Sequence, residues 1–371
     1  MNFQGVWVDA LTPLQENLSI DEGKLSAHLR NLSAKGVEQF VLFGQAGEGA
    51  SFSTDEKLSA VSHVMTSGLE AKNILLGVQS SSFSEAAQCI RKAYDLGVRR
   101  FLVPGPLHGQ PFTHLTLFEY VDQLIRRVGH DDWQLFLHQL GGLSHAADFP
   151  EVTLNDLHKV HPKICVGVVD QDVHMNHTVD LIRSFGELMT IAPCHESNLA
   201  VLNLKVCVSA LANLIPHVVE HLLVDEGINN ATKIPGMKVA KPDDRVVELM
   251  TILGTYPAIA AMKLLLSQHY RMESWERVRP PQSTLTKEAK TTLLATFKNL
   301  QPTGHRMNFQ HTWYVIERNN HFETISHEAM TLLPEGSFVM LQNFETHHEA
   351  LEEHKRLVKM VIADAKTKLG S

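Results

Sequence analysis

One repeat constrains the fold of this chain more than any other feature: a short apolar run, followed by a stretch with helical periodicity, recurs along most of its length. Runs such as 74–78 and 165–169 are continuous rather than alternating, which is typical of strands buried on both faces of a parallel sheet. The stretches between them carry apolar residues at spacings of three or four, as in Ile20–Lys35, for which Ser19 is the expected N-cap. Eight such units in series predict an α/β protein with a closed (β/α)₈ barrel, the TIM-barrel class. The predicted strands are Gly5–Ala10, Phe40–Phe43, Ile74–Val78, Phe101–Val103, Gln134–His138, Cys165–Val169, Met189–Ala192 and Val206–Ser209.

The 371 residues exceed the length that one barrel needs, which is about 250 residues. We predict three segments: the barrel over 1–226, a helical C-terminal region over 227–299, and a small α+β appendage over 300–371. The appendage follows a stretch with Pro302 and Gly304 that resembles a linker. Its predicted elements are the strands His311–Arg318 and Phe338–Gln342 and the helix Thr346–Lys368.

Composition and charge exclude several classes of function. The net charge of −8, without a long run of one sign, argues against nucleic acid as a partner, because phosphate binding requires a dense basic surface. The four cysteines form no Cys-x-x-Cys pair, and the N-terminus does not resemble a signal peptide, so we expect a reducing cytoplasm. No apolar run reaches the roughly 18 residues of a membrane span, so no membrane partner is expected.

Several short motifs occur in the order and spacing of a known family. They are Leu11-Thr12-Pro13, Phe43 to Glu48, Ile74 to Val78, Ser209 to Asn213 and Arg279-Pro280-Pro281. Over roughly residues 3–295 the chain resembles the dihydrodipicolinate synthase and N-acetylneuraminate lyase family. The resemblance implies a barrel with a helical C-terminal region and self-association into a homo-oligomer, and the appendage has no counterpart in it.

The resemblance also implies a catalytic apparatus that this chain lacks. In the family, a lysine at the end of the sixth strand forms an imine with a keto acid, and a tyrosine of the fifth strand relays protons. A Gly-Thr-Thr loop binds the keto-acid carboxylate. Here the lysine position is Val169 and the tyrosine position is His138. The threonines correspond to Gln45 and Ala46, an acid-binding arginine to Leu143, and a tyrosine of the dimer contact to Leu107. We therefore do not expect Schiff-base aldolase chemistry.

The top of the predicted barrel carries other polar residues, because catalytic groups of such barrels come from the carboxyl ends of the strands. His138 could act as a general base oriented by Asp170, with His195 nearby. The same histidines with Asp170 or Asp172 could hold a metal, but no metal-binding spacing supports this, and we predict neither a metal nor another cofactor. Cys194 beside His195 is a poor nucleophile–base pair, because adjacent strand residues point to opposite faces. The predicted ligand contacts are Gln45, Ala46, Gln139, Val169 and Ser209.

Two hypotheses of function remain open. In the first, the barrel is catalytically silent and binds a small ligand in its mouth, or a protein partner through 300–371. In the second, the chain is an enzyme of changed, non-Schiff-base chemistry that uses His138 and nearby acids on a small polar or anionic metabolite. Glu48 is expected to have a structural role near a helix N-terminus.

Overall fold

The computed structural model describes most of the chain up to residue 299 and parts of the remainder. The described residues are 3–106, 112–141, 148–196, 199, 202, 204–224, 244–299, 313–318, 321–326, 339–344, 350 and 353–357. Among them, no helix is both long and apolar enough to cross a membrane.

The predicted TIM barrel is confirmed. Parallel strands follow one another around it in chain order, and the last pairs with the first, as in the register Trp7↔Val208. The strands are β1 Gly5–Asp9, β2 Gln39–Leu42, β3 Ile74–Gly77, β4 Arg100–Pro104, β5 Gln134–Gln139, β6 Cys165–Asp170, β7 Thr190–Pro193 and β8 Val206–Ser209. Because all strands run the same way, their carboxyl ends meet at one end of the barrel, which we call the top.

Helices connect the strands on the outside of the barrel. They are α1 Glu22–Ala34, α2 Thr54–Thr66, α3 Phe83–Asp95, α4 His114–Val128, α5 Glu151–Val160, α6 Met175–Phe185 and α7 Pro216–Val224. The helix predicted after β7 lies largely outside the described residues. One predicted cap is wrong: Asp21 caps α1 by accepting from the Lys24 N–H at 3.0 Å, whereas Ser19 bonds to Asn17.

The barrel interior is filled by apolar side chains. Trp7 stacks on Phe3 with ring centroids 3.9 Å apart, and Phe3 meets Phe136 at 4.3 Å. An added Cβ at Gly167 would lie 2.5 Å from the Phe136 ring, so this ring uses the space that the glycine leaves. The interior apolar cluster consists of Phe3, Trp7, Val41, Leu75, Leu102, Phe136, Val169, Ala192, Val206 and Val208. The barrel is therefore a packed core rather than a pore.

The C-terminal helices pack against the barrel through a buried polar network. They are α8 Asp244–Gly254, α9 Ala258–Tyr270 and α10 Lys287–Asn299. His28 on α1 contacts the Tyr270 hydroxyl through Nδ1 at 2.8 Å and the Asn213 side-chain oxygen through Nε2 at 2.9 Å. Burial lowers the pKa of His28 to about 4, so the ring links these elements in its neutral form.

The described part of the tail contains an antiparallel sheet in the order β10-β9-β11. Its strands are β9 Trp313–Arg318, β10 His321–Ser326 and β11 Val339–Phe344. β9 and β11 match the two predicted strands, and β10 was not predicted. Residues 350 and 353–357 are helical, and the remainder of the predicted long helix lies outside the described residues. β11 packs against α1 of the barrel. The division of the chain into three segments, with boundaries at residues 226 and 299, stays a prediction.

Candidate functional site

Val169 faces the interior at the upper end of β6. It is fully buried and belongs to the interior apolar cluster with Trp7 and Phe136. In the strand register it lies between His138 of β5 and Ala192 of β7. An aliphatic side chain thus occupies the position at which the resemblance implies an amine.

His138 is buried at the same level of the barrel. Its Nε2 lies 3.0 Å from the side-chain oxygen of Gln171, whereas its Nδ1 has no hydrogen-bond partner among the described residues. Burial lowers the pKa of His138 to about 4, so the ring is neutral at pH 7.

The expected pairing of His138 with Asp170 is wrong, because Asp170 points to the outer side of β6. One of its carboxylate oxygens accepts from the Thr178 hydroxyl at 2.6 Å, and the other lies 3.0 Å from Nδ1 of His177. Asp170 also accepts from the Asp172 N–H at 3.2 Å. The carboxylate therefore anchors α6, and burial raises its pKa.

Asp9 was not predicted from the sequence, yet it is central to the top of the barrel. One carboxylate oxygen, Oδ2, accepts from the Ala46 N–H at 2.9 Å, and the N–H groups of Gln45 and Gly47 also lower its pKa. Burial is the larger influence and raises the pKa of Asp9 to about 7. The loop that resembles the family's carboxylate-binding loop thus directs its amides at a carboxylate of the same chain.

The shape of this loop requires a glycine next to Asp9. A Cβ at Gly44 would lie 2.3 Å from Asp9 Oδ1, so only glycine lets the carboxylate lie against the backbone. Phe43 and Glu48, at the two ends of the loop, both have a left-handed φ of 59°. This tight conformation helps to bring successive N–H groups to one side, as in backbone anion-binding nests.

Other predicted ligand contacts are engaged with the protein. The Gln139 amide both donates to and accepts from the backbone of Phe149, each at 2.7 Å. The Ser209 hydroxyl donates to Glu196 at 2.6 Å, and Gln45 accepts from Gln79 at 3.4 Å. Their role in ligand binding stays a prediction. Leu107 and Leu143 lie outside the described residues.

Cys194 and His195 follow β7 at the top. The pKa of the Cys194 thiol is raised well above its usual value by burial and by the carboxyls of Asp9, Asp170 and Glu196, so it is no activated nucleophile. Burial lowers the pKa of His195. Among the described residues, no group of three or more histidine, cysteine or acidic side chains is arranged to hold a metal ion.

Glu48 has the expected structural role through a partner that the sequence did not reveal. Both Glu48 and Lys263 of α9 are completely buried, and their side chains form an ion pair. Lys263 also donates to the Arg277 carbonyl at 2.7 Å, and Glu48 accepts from the Arg279 N–H at 2.7 Å. This ion pair connects α9 to the end of the loop that contacts Asp9.

A second buried lysine, Lys57, lies on the helix side of the strands. Its ammonium donates to the Gly77 carbonyl at 3.3 Å beside a cavity of about 110 Å³ that is also lined by Thr54 and Glu85. Burial lowers the pKa of Lys57 to about 8. This amine is carried by α2, whereas the lysine that the resemblance implies belongs to β6, so we do not expect Lys57 to replace it.

The neutral state of His138 makes a prediction for stability against pH. The unfolded chain takes up a proton near 6.5, whereas folded His138 does so only near 4, so His138 lowers the free energy of unfolding as the pH falls through this window. Relative to His138→Gln, the wild-type chain should lose about 3 kcal/mol between pH 7 and pH 4 in urea unfolding. His28 and Asp9 also titrate there, but their effects cancel in the comparison. A difference that stays constant over this range would show that His138 has the same pKa in the folded and the unfolded chain, which would contradict this prediction.

Comparisons with known proteins agree on one family. A sequence model of the "Dihydrodipicolinate synthetase family" matches residues 2–300. The chain is 38% identical over 101 residues to a 4-hydroxy-tetrahydrodipicolinate synthase of Chlamydia trachomatis, and this match spans only 35% of that relative's length. A 4-hydroxy-tetrahydrodipicolinate synthase of Agrobacterium fabrum is 24% identical over 303 residues, which cover 80% of this chain and 98% of that protein.

Solved structures show the same fold. Dihydrodipicolinate synthase from Agrobacterium tumefaciens superimposes with a TM-score of 0.72 at 24% identity, over 80% of this chain and 99% of that chain. Proteus mirabilis N-acetylneuraminate lyase superimposes with a TM-score of 0.67 at 21% identity, over 81% of this chain and 99% of that chain. With the sequence match over residues 2–300 and the barrel described above, the chain belongs to the dihydrodipicolinate synthetase family and has its barrel fold.

Proposed function

We propose that this chain is a non-catalytic member of its family, which binds a small ligand at the top of the barrel without forming an imine. The observation that carries the proposal is Val169, an aliphatic residue buried among Trp7 and Phe136 where the family resemblance calls for an amine. An imine requires a nucleophilic nitrogen, and the valine side chain has none.

The surroundings of Val169 support the same proposal. Two lysines are buried among the residues that the structure describes, Lys57 and Lys263, and both lie on helices outside the barrel interior. The carboxylate of Asp9 already accepts a hydrogen bond from the Ala46 amide, so this donor is not free for the carboxylate of a keto acid. The keto acid therefore lacks both a covalent partner and an obvious binding group.

Reductive trapping tests the proposal. The chain is incubated with pyruvate and borohydride, which reduces any lysine imine to a stable secondary amine, and the intact mass is then measured. We expect the mass to stay unchanged. A pyruvate-sized increase located on a lysine at the top of the barrel would overturn the proposal.

A second candidate, an enzyme of changed chemistry, is favoured by one observation. Nδ1 of His138 has no hydrogen-bond partner among the described residues, and the neutral ring could accept a proton from a bound metabolite. Its low pKa makes it a weak base at pH 7, which is why we prefer the first proposal. Turnover of a polar metabolite that His138→Gln abolishes would decide for the second candidate. Self-association and a protein partner at 300–371 stay predictions from the sequence.

A further inference from the structure

Two buried acceptor atoms at the top of the barrel lack a hydrogen-bond donor in the part of the chain that the structure describes. They are Oδ1 of Asp9 and Nδ1 of His138, whose residues are only 6% and 2% exposed. Buried polar atoms nearly always have a partner, so each such atom in a folded protein needs an explanation. β1 and β5 are four strands apart in the eight-stranded order, so these atoms lie on opposite walls of the barrel.

The hydrogen-bonding role of each atom follows from its neighbours. Nε2 of His138 faces the side-chain oxygen of Gln171, which can only accept, so Nε2 carries the proton and Nδ1 of the neutral ring is an acceptor. Oδ2 of Asp9 accepts from the Ala46 amide, whereas Oδ1 lies against Gly44 without a donor. Both atoms can therefore accept a hydrogen bond from a ligand. A further unpartnered atom, Nε1 of Trp7, is a donor, but it belongs to the apolar layer below and packs against Phe3.

The charges at the top favour a positively charged donor. Within the described part of the chain, no lysine or arginine is among the groups that shift the pKa of Asp9. The carboxyls of Asp9, Asp170 and Glu196 each contribute to the raised pKa of the Cys194 thiol, although Asp170 points outward. An ionised Asp9 without a countercharge repels an anion and attracts a cation.

We infer that the top of the barrel takes a small protonated amine, which donates N–H groups to Oδ1 of Asp9, and that it discriminates against carboxylates. This inference rests on the proposed function, since it names the ligand class of a barrel that binds without converting. Asp9 acts as the specificity residue, because it engages the amides of the 44–47 loop and presents its second oxygen to the ligand.

Isothermal titration calorimetry with ethanolamine and with glycolate, two probes of similar size and opposite charge, tests this inference. The titrations use the full chain at about pH 8, where the carboxyl of Asp9 is ionised and ethanolamine remains protonated. We expect ethanolamine to bind the wild-type chain and glycolate not to bind. In Asp9→Asn, the amide group replaces the charged oxygen with a donor, so ethanolamine should bind at least ten-fold more weakly and glycolate should gain measurable affinity. Asp180→Asn, the same change in an exposed residue, should leave both results as in the wild type.

Several outcomes would overturn the inference. They are binding of glycolate to the wild-type chain in preference to ethanolamine, equal ethanolamine affinity in Asp9→Asn, or no ethanolamine binding at all. If Asp9→Asn does not fold, the comparison of ethanolamine with glycolate on the wild-type chain is the deciding result. If ethanolamine did not bind as expected, the proposed function would still stand as long as borohydride trapping left the mass unchanged. A trapped pyruvate adduct would instead overturn the proposed function without altering the ethanolamine result.

Discussion

Replacing Val169 with lysine is expected to destabilise the barrel by about 4 kcal/mol or more, because a longer and charged side chain would enter an apolar cluster that is packed around a valine. Val169 is fully buried, and the rings of Trp7 and Phe136 belong to the same cluster. Introducing the lysine that the resemblance implies at this position should therefore damage the fold, since the surrounding side chains are packed for a valine. The free energy of unfolding from urea titration measures the effect.

Val169→Met is the matched control. Methionine adds comparable length without charge, and overfilling a packed core typically costs about 1–3 kcal/mol. The difference between the lysine and methionine variants isolates the cost of burying the charge. If both variants were equally stable, the interior at this level would be polar and open, and our description of a filled barrel would be wrong.

A second large effect is expected at the ion pair of Glu48 and Lys263. Lys263→Met should cost about 3–5 kcal/mol, because it leaves the Glu48 carboxylate buried without its countercharge. The Arg279 N–H, at 2.7 Å, would remain as a donor to that carboxylate. The loss should be visible as a lower midpoint of urea unfolding with little change in slope.

The controls for this prediction separate burial from charge. Lys24→Met removes the more exposed ion pair with Asp21 on α1 and should cost no more than about 1 kcal/mol. Adding Glu48→Gln to Lys263→Met should recover part of the loss, because no buried charge then remains. If Lys263→Met lowered the free energy of unfolding by less than about 1 kcal/mol, Glu48 and Lys263 would not form a buried ion pair shielded from water.

The fold was predictable because its signal is local and repeated. Each barrel strand is a continuous apolar run, and Cys165–Val169, for example, agrees with the observed Cys165–Asp170 within one residue. Strand β10 was missed because His321–Ser326 is mostly polar, a weak pattern for a strand. The α1 cap was misassigned because Ser19 and Asp21 are both good capping residues, and only the fold decides between them.

The contacts of the site were less predictable because they depend on long-range neighbours. Asp9 lies inside the apolar run 6–11, and its contact with Ala46 arises only once β1 pairs with β2. A charged residue inside such a run was the signal that could have identified it. The predicted pairing of Asp170 with His138 was wrong because successive strand residues face opposite sides of a strand. Since Val169 faces the interior, Asp170 faces outward.

The most direct test is peptide-level mass spectrometry after borohydride reduction in the presence of pyruvate. Under identical conditions, the Agrobacterium fabrum synthase would serve as the comparison protein. For this chain we predict unmodified peptides throughout, including the peptide that contains residue 169 and the peptide that contains Lys57. A reduced pyruvate adduct on any lysine whose amine reaches the barrel interior would contradict the account.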